Sequence, residues 1–321
     1  MRASAPGKII LFGEHAVVYG RPALAVPVPQ VRAQVEVSES ARPGIWIDAP
    51  DIGLRAELET LPADQPLAAL TRNLLAAMGK EPHPDLQITI TSTIPVAAGM
   101  GSGAAVSVAL IRALASALAW PLPDEQVSAY AYEIEKLHHG TPSGIDNTVV
   151  TYARPVFFVK GQPVQTLDVG APFNVVIGDS GLPAPTRESV TDVRRLWESD
   201  KGKWEAVFDE IGYLSRKAKA AIEQGLWQTL GTLMDQNQAL LTQLTVSSPE
   251  LDRLVSAARN AGALGAKLSG GGRGGNMIAL VQEGAGEEVA TALVAAGSPR
   301  AIIATIEASP QLENRPAPAT T

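Results

Sequence analysis

The chain has 321 residues, 45% of them hydrophobic and 18% charged, which is the composition of an ordinary globular protein with one large or two medium domains. Its net charge of −7, without a cluster of Lys and Arg, argues against nucleic-acid binding. It contains no cysteine, which excludes disulfides, thiolate catalysis and thiolate zinc sites. The most apolar stretch, residues 104–120, contains Arg112 and is too short to span a bilayer, so we expect no membrane association and a cytoplasmic location.

The first half of the chain mixes strand and helix patterns. Apolar runs, period-two alternation and Gly or Pro breaks predict, in order, strands at 8–12, 23–26 and 31–37, short strands within the loops of 41–66, a helix at 66–78, a strand at 88–91, and helices at 104–119 and 124–138. The helix at 104–119 is apolar on nearly every face, which predicts that it is buried.

The second half is mainly helical. Its pattern predicts, in order, strands at 156–160 and 174–178, two or three helices within 187–260 broken near Gly202, Gly225 and 247–249, a glycine-rich loop at 270–275 between strands, a helix at 285–296 and a strand at 301–306. Strands that dominate the first part and helices that dominate the middle indicate an α+β fold. We place a domain boundary within 165–185, which gives domains of 1–170 and 171–308 and a disordered tail of 309–321.

A glycine-rich loop, residues 95–105, leads into the buried helix. Such a loop at a helix N-terminus presents free backbone N–H groups and the positive end of the helix dipole, which suits a phosphate group. A tight strand-to-helix turn would use the same glycines, and a Gly-x-Gly pattern alone favours the turn. The Walker, Rossmann and protein-kinase signatures are all missing from the chain.

Two carboxylates flank a turn near the middle of the chain. Glu135 is predicted in the last turn of a helix, and Asp146 follows a Pro-Ser-Gly turn. A carboxylate at a helix C-terminus meets the unfavourable end of the dipole, so a cation such as Mg²⁺ bound to ATP phosphates would explain the place of Glu135. A solvated Glu135 and a capping Asp146 form the alternative, which spacing alone favours.

Two further segments stand out. Lys8 enters an apolar strand and is followed by the turn 13–15, which contains Glu14 and His15. A lysine in such a place is more often a solvated edge residue than a catalytic one, and a lone histidine is more often structural than a ligand. Residues 265–275 contain six glycines, more than a turn requires, which indicates close backbone packing against another loop or a ligand.

In this order, the segments resemble the three motifs of the GHMP kinases, which include the galacto-, homoserine, mevalonate and phosphomevalonate kinases. Residues 6–15 are similar to the first motif, 95–105 to the second and 267–275 to the third. The resemblance implies a two-domain α+β fold, with an N-terminal domain like domain 2 of ribosomal protein S5 and a ferredoxin-like C-terminal domain. It also implies ATP-dependent phosphorylation of a small alcohol.

Finer features are similar to the mevalonate kinases within that family. Galactokinases have Asp where this chain has Val17, and phosphomevalonate kinases typically have Tyr in place of His15. The resemblance implies phosphorylation of the 5-hydroxyl of (R)-mevalonate on the route to isoprenoids, with ATP as co-substrate, Mg²⁺ as cofactor and a homodimeric assembly. Another small-alcohol kinase of the family, such as a phosphomevalonate kinase, and a catalytically silent metabolite-binding protein of the same fold stay open as alternatives.

The resemblance also implies a role for each motif residue. Asp146 would accept the proton of the substrate hydroxyl, with Lys8 beside it to orient the alcohol, and Glu135 and Ser102 would bind Mg²⁺. The residues expected to bind ATP are Pro95, Ala98, Gly99, Met100, Gly101, Ser102, Gly103 and Ala104. The residues expected to hold mevalonate are Glu14, His15 and Thr186.

Two positions depart from the family pattern. Mevalonate kinases usually carry Gly-Leu-Gly-Ser-Ser in the second motif, where the second serine is a ligand of Mg²⁺ and phosphate, whereas this chain has Gly103 there. The third motif usually has glycine at the position of Arg273. Water or Ser102 would replace the lost hydroxyl, or Arg273 would add a compensating charge, and the sequence does not decide among these.

Overall fold

The structure is a computed structural model that describes residues 1–79, 83–95, 99–139 and 142–309. Its strands are, in chain order, β1 (Arg2–Phe12), β2 (Ala23–Glu39), β3 (Ile45–Ala49), β4 (Leu54–Glu57), β5 (Leu86–Ser92), β6 (Val156–Phe158), β7 (Gln165–Thr166), β8 (Phe173–Asp179), β9 (Gly265–Ser269), β10 (Asn276–Val281) and β11 (Ala301–Ile306). Its α-helices are α1 (Pro66–Met78), α2 (Ser102–Ala117), α3 (Asp124–His139), α4 (Ile145–Tyr152), α5 (Thr186–Ser199), α6 (Lys201–Gln224), α7 (Trp227–Gln243), α8 (Pro249–Asn260) and α9 (Gly286–Ala295).

The first sheet is organised around the long antiparallel pair of β1 and β2. On its other edge, β2 pairs with β5 along residues 33–39 and with β6 along residues 23–25, and β3, β4 and β7 extend the sheet. The register between β1 and β2 shifts beside the prolines of β2. Pro6 faces Arg32, whereas the next residue, Gly7, faces Val28. This bulge lets a strand with missing N–H donors continue. The two strands predicted at 23–26 and 31–37 are therefore one strand.

Helix α2 covers one face of this sheet. It packs across β1 and β2, and α1, α3 and α4 surround it. Its buried residues are mostly small or aliphatic, which allows close approach to the strands and confirms the prediction that it is buried. The N-terminus of α2 is held against β1, since the backbone N–H of Lys8 donates to the carbonyl of Met100 at 3.0 Å.

The second sheet is antiparallel, with the strand order β11-β8-β10-β9. Helices α5–α8 lie between its first two strands in the chain and α9 between its last two. This strand and helix order is the ferredoxin-like arrangement, so the predicted two-domain α+β fold is confirmed. The sheets meet where the Ser269 hydroxyl donates to the Ile10 carbonyl at 2.9 Å and accepts from the Ile10 N–H at 3.1 Å.

The sequence pattern misses one helix and undercounts others. Helix α4 follows Gly144, whose φ of 92° ends the preceding turn. Its consecutive β-branched residues Val149 and Val150 disfavour a helix by propensity, and burial of both side chains overrides that preference. Residues 187–260 form four helices rather than two or three, because Asp200 both ends α5 and caps α6 by accepting from the N–H of Lys203.

The predicted division at residue 170 falls between β7, the last strand of the first sheet, and β8, the first of the second. That boundary stays a prediction. Ala98 and residues 310–321 of the predicted tail lie outside the described residues. Within the described part of the chain, no helix has both the length and the apolar character needed to cross a membrane.

Candidate active site

Lys8 and Asp146 form an ion pair where β1 meets α4. Lys8 Nζ lies 3.0 Å from Asp146 Oδ1, and the lysine side chain is 4% exposed against 29% for the aspartate. A lysine buried this deeply requires a negative partner, so Lys8 is not the solvated edge residue that its place in a strand favours. The pair presents to solvent a carboxylate with a buried cation behind it.

The loop before α2 packs on the Lys8 side chain. Gly101 has a φ of 70°, and a Cβ there would lie 2.8 Å from Lys8 Cγ, so glycine is required at this position. Gly101 has no side chain with which to cap α2, and the N–H groups of residues 102–104 have no acceptor within the helix. The positive end of α2 therefore lies beside the Lys8–Asp146 pair.

The predicted ATP-binding residues divide into anchors and exposed positions. Pro95, Met100 and Ala104 are buried, Gly101 and Ser102 are half-buried, and Gly99 and Gly103 are exposed. The buried members fix the loop to the core, and the exposed glycines leave its backbone open to a ligand. The eighth member, Ala98, is not among the described residues.

Glu135, on α3, faces the first turn of α2. Its Oε1 lies 3.3 Å from the position that a Cβ on Gly103 would take, and the residue is 5% exposed. Burial, followed by the nearby Asp146 carboxylate, raises the pKa of Glu135 to about 7, while Lys8 acts in the lowering direction. Two carboxylates, one lysine and a helix N-terminus thus share one site.

His15, Gly271 and Thr186 lie close together where the part of the chain that contains the first sheet contacts the part that contains the second. His15 Nε2 lies 3.1 Å from the Gly271 carbonyl oxygen. Because a carbonyl only accepts, Nε2 carries the hydrogen and Nδ1 is an acceptor in the neutral ring. Burial lowers the pKa of His15 to about 4, opposed by the Gly271 hydrogen bond and aided by Arg273, so the ring is neutral at pH 7. A Cβ on Gly271 would lie 2.8 Å from the Oγ1 of Thr186, the residue that begins α5.

Glu14 has its partners inside the protein. Lys267 Nζ donates to Glu14 Oε1, and Asn237 Nδ2 donates to Oε2 at 3.1 Å. The side chains of Glu14 and Lys267 are both 0% exposed. The motif resemblance gives no partner to Lys267 and does not single out Asn237. The sequence signal that points to this pair is Lys267 itself, because a lysine inside an apolar strand requires a buried acid as its partner. Contact between Glu14 and a substrate stays a prediction.

Arg273 joins the glycine-rich loop to neighbouring segments of the chain. Its φ of 59° lies in the left-handed region that favours glycine, in keeping with the glycine usual at this position. The guanidinium donates to Asp192 Oδ2 at 2.5 Å and to the Thr245 carbonyl at 3.1 Å, which joins the loop to α5 and to the segment that follows α7. The contact of Gly271 with Thr186 confirms the predicted close packing of this loop.

The GHMP kinases N terminal domain model matches residues 66–154, and the GHMP kinases C terminal model matches residues 218–298. A mevalonate kinase of Pyrococcus abyssi is 38% identical over 315 residues, which cover 92% of this chain and 93% of that protein. A mevalonate kinase of Aeropyrum pernix is 34% identical, covering 97% and 98%. The chain belongs to the mevalonate kinase family of the GHMP kinases. It is therefore an ATP-using kinase that transfers phosphate to an alcohol.

Solved structures of the mevalonate kinase family have the same architecture. The L. major mevalonate kinase in complex with R-mevalonate matches with a TM-score of 0.83 at 28% identity, covering 96% of both chains. The Methanococcus jannaschii mevalonate kinase matches with a TM-score of 0.83 at 25% identity, covering 97% of this chain and 98% of its own. A Lactococcus lactis galactokinase, at 18% identity and a TM-score of 0.73, shares the fold alone.

Proposed function

We propose that the chain transfers the γ-phosphoryl group of ATP to the 5-hydroxyl of (R)-mevalonate, releasing ADP and 5-phosphomevalonate. The observation that carries the proposal is the meeting of the Lys8–Asp146 pair, Glu135 and the N-terminus of α2. Phosphoryl transfer is mostly positioning and charge neutralisation, so a carboxylate base, a cation and a phosphate-binding helix end are what it requires. Mevalonate kinases that align over nearly the whole chain support mevalonate as the alcohol.

Asp146 is the general base of this proposal. Its carboxylate accepts the proton of the 5-hydroxyl while that oxygen bonds to the γ-phosphorus and the bond from phosphorus to the ADP oxygen breaks. Lys8, 3.0 Å from Asp146 Oδ1, fixes the carboxylate and offers a cation to the reacting oxygens. Because the transition state of phosphoryl transfer is loose, proton transfer comes late and a carboxylate is a sufficient base.

The start of α2 would bind the phosphates of ATP. The N–H groups of residues 102–104 have no acceptor within the helix, and anions bind at such helix ends. Gly99, on the loop before α2, and Gly103, in the first turn of α2, are exposed, so the phosphate oxygens can approach the backbone.

In this proposal Glu135 and Ser102 would hold a divalent cation that is shared with the nucleotide. A buried carboxylate beside Asp146, with its pKa raised to about 7, is favoured in its ionised form by a further cation. Among the described residues no group of three or more His, Asp or Glu is placed to hold a metal, so phosphate oxygens would complete the coordination, as is usual for Mg²⁺. Bound Mg²⁺ would supply neutralisation of the phosphate charge.

The other end of mevalonate would lie at His15 and Thr186. The N-terminus of α5 begins at Thr186 and favours a carboxylate, and Nδ1 of the neutral His15 ring can accept a hydrogen bond from a substrate hydroxyl. Glu14 is bound to Lys267 and Asn237, so its place in substrate binding is indirect in this proposal.

The raised pKa of Glu135 predicts a pH-dependent affinity for Mg²⁺ and nucleotide. Below pH 7 the carboxyl is mostly protonated and a proton must leave before a cation binds, so affinity should weaken about tenfold from pH 8 to pH 6. Titration calorimetry with Mg²⁺ and a non-hydrolysable ATP analogue, in buffers of different ionisation enthalpy, measures both the affinity and the released proton. In the E135Q variant, any pH dependence of the affinity that remains comes from the ionisation of the nucleotide. Equal slopes in wild type and E135Q would contradict this role.

We predict that substitution of Gly103 by serine raises the affinity of the enzyme for Mg²⁺. A Cβ at Gly103 would lie 3.3 Å from Glu135 Oε1, so a serine hydroxyl there would lie close to the carboxylate that would hold the cation. G103S is expected to lower the Mg²⁺ concentration for half-maximal activity. G103A adds the same Cβ without the hydroxyl and should leave that concentration unchanged. Identical Mg²⁺ curves for the two would show that the hydroxyl has no cation to bind.

The substrate is tested by coupled ADP-release assays with mevalonate, phosphomevalonate, galactose and homoserine. We expect mevalonate to give by far the highest kcat/KM. A higher value for another alcohol would replace mevalonate in this proposal, and ATP binding without turnover of any would favour the silent binding protein. The buried Lys8 argues against a silent protein, because burying a lysine beside two carboxylates has a desolvation cost that catalysis explains.

The assembly and location follow only from the sequence and the family resemblance. A homodimer, a cytoplasmic location and the absence of nucleic-acid and membrane partners stay predictions. Size-exclusion chromatography with light scattering tests the first of these directly.

A further inference from the structure

A buried ion pair joins the turn 13–15 to β9, at the start of the third motif, and the proposed reaction does not use it. We propose that Lys267 is a positioning residue that acts through Glu14 to fix His15 and the 270–275 loop in the geometry that binds the alcohol substrate. The substrate readout of this proposal rests on the proposed function.

Three separate elements meet at Glu14. Lys267 lies on β9 and donates both to Glu14 Oε1 and to the carbonyl of Leu268. Asn237, on α7, donates to Glu14 Oε2 at 3.1 Å. All three side chains are fully buried. Both carboxylate oxygens are therefore occupied, which fixes the orientation of Glu14 and, through the backbone, of its neighbour His15.

Stability alone does not explain this pair. Desolvating two charges has a cost that their attraction often only balances, and apolar replacements of buried ion pairs are frequently neutral or stabilising. Burial lowers the pKa of Lys267, and Glu14 opposes that shift, so each charge depends on the other. What such a pair can supply is one definite arrangement of the segments it joins.

The turn 13–15 and the third motif are held at two points. Glu14 meets Lys267, and the adjacent His15 meets Gly271, which lies four residues after Lys267. His15 has a φ of 60°, a conformation that costs energy for a residue with a Cβ and persists only when neighbouring contacts impose it. Loss of Lys267 would remove one of the two contacts and let the His15 ring and the loop relax.

The effect of that loss should stay local. β1 and β9 remain joined by the two hydrogen bonds between Ile10 and Ser269. The segment after His15 is held separately, because Tyr19 stacks on Phe208 at 4.2 Å and Arg21 donates to Asp209 at 3.0 Å. The two domains therefore stay docked when the pair is removed, and the variants can be assayed as folded enzymes.

The test compares K267M with the double variant K267M/E14Q and with R259M. K267M leaves a buried carboxylate without its cation and should lower the unfolding temperature, whereas the double variant removes both charges and should recover most of that loss. The matched control R259M removes a different ion pair, in which Arg259 of α8 binds Asp235 of α7. This pair also lies beside β9 but away from the turn 13–15. Steady-state kinetics give kcat and the KM for each substrate. The ¹⁵N shifts of the imidazoles, of which the chain has four, give the tautomer of His15 without any substrate.

We expect kcat/KM for mevalonate to fall about 10–100-fold in both K267M and K267M/E14Q, with the KM for ATP nearly unchanged. In both, the His15 ring should lose its fixed Nε2–H tautomer, while R259M keeps wild-type kinetics and ring signals. Wild-type kcat/KM and ring signals in K267M/E14Q would overturn the proposal, as would an equal loss in R259M. If the wild-type enzyme does not act on mevalonate, the proposed function fails, and the tautomer of His15 still decides whether Lys267 positions it.

Discussion

Replacement of Asp146 by alanine is expected to lower kcat for mevalonate phosphorylation by about 10²–10⁴-fold, the usual contribution of a general base. The carboxylate 3.0 Å from Lys8 Nζ is the proposed acceptor of the hydroxyl proton, and alanine offers no substitute. ATP binding should survive, because the backbone N–H groups at the start of α2 do not involve Asp146. Equilibrium titration with ATP and steady-state kinetics with mevalonate separate the two effects.

Two further variants make this prediction specific. D146N keeps the size of the side chain and removes its basicity, so it should lose nearly as much activity as D146A. The control D124A also removes an aspartate from the first turn of a helix. Asp124 Oδ1 pairs with the Arg112 guanidinium at a distance of 2.7 Å, outside the candidate site, so D124A should leave kcat unchanged. Near-normal kcat in D146N would exclude Asp146 as the base.

Replacement of Lys8 by methionine has the second largest expected effect. Methionine keeps much of the apolar stem that packs on Gly101 and removes the charge, so kcat should fall by about 10²–10³-fold, as on loss of a donor that stabilises transition-state charge. Lys8 also acts to lower the pKa of Glu135, so in K8M this pKa should rise above 7. Protonated Glu135 binds a cation poorly, and the affinity for Mg²⁺ and nucleotide at pH 7 should therefore fall.

The pH dependence distinguishes the two consequences of K8M. Raising the pH through the new pKa of Glu135 should restore Mg²⁺ and nucleotide affinity, whereas kcat should stay low at every pH because the cation beside the reacting oxygens is gone. The control K219M removes a lysine paired with Glu223 on α6 and should change neither quantity. A K8M enzyme whose kcat reaches the wild-type value at high pH would limit Lys8 to tuning Glu135.

Much of the fold follows from local patterns in the sequence. The amphipathic and apolar periods predict α1, α2 and α3, and the motif order predicts the two-domain α+β architecture. Tertiary packing decides the rest: β2 runs through Pro27 and Pro29 because a bulge against β1 accommodates them, and α4 forms despite Val149 and Val150 because both are buried.

The site was predictable only in part for a related reason. Lys8 is far along the chain from Glu135 and Asp146, and spacing alone favours ordinary structural roles for all three. Only the resemblance to a family places them in one site. The pairing of Lys267 with Glu14 depends on how two domains dock, which no local pattern reports. The same holds for Arg273, whose ion pair with Asp192 appears only once α5 is placed.

The most direct test of the central claim is to follow one reaction of the purified enzyme with Mg²⁺, ATP and (R)-mevalonate by ³¹P NMR. We predict that ADP and a phosphate monoester on the C5 primary alcohol appear in equal amounts, and that D146N forms neither at a comparable rate. ADP formed without a mevalonate phosphate, or a phosphate on another oxygen, would contradict the assignment of Asp146 as the base that delivers the 5-hydroxyl to ATP.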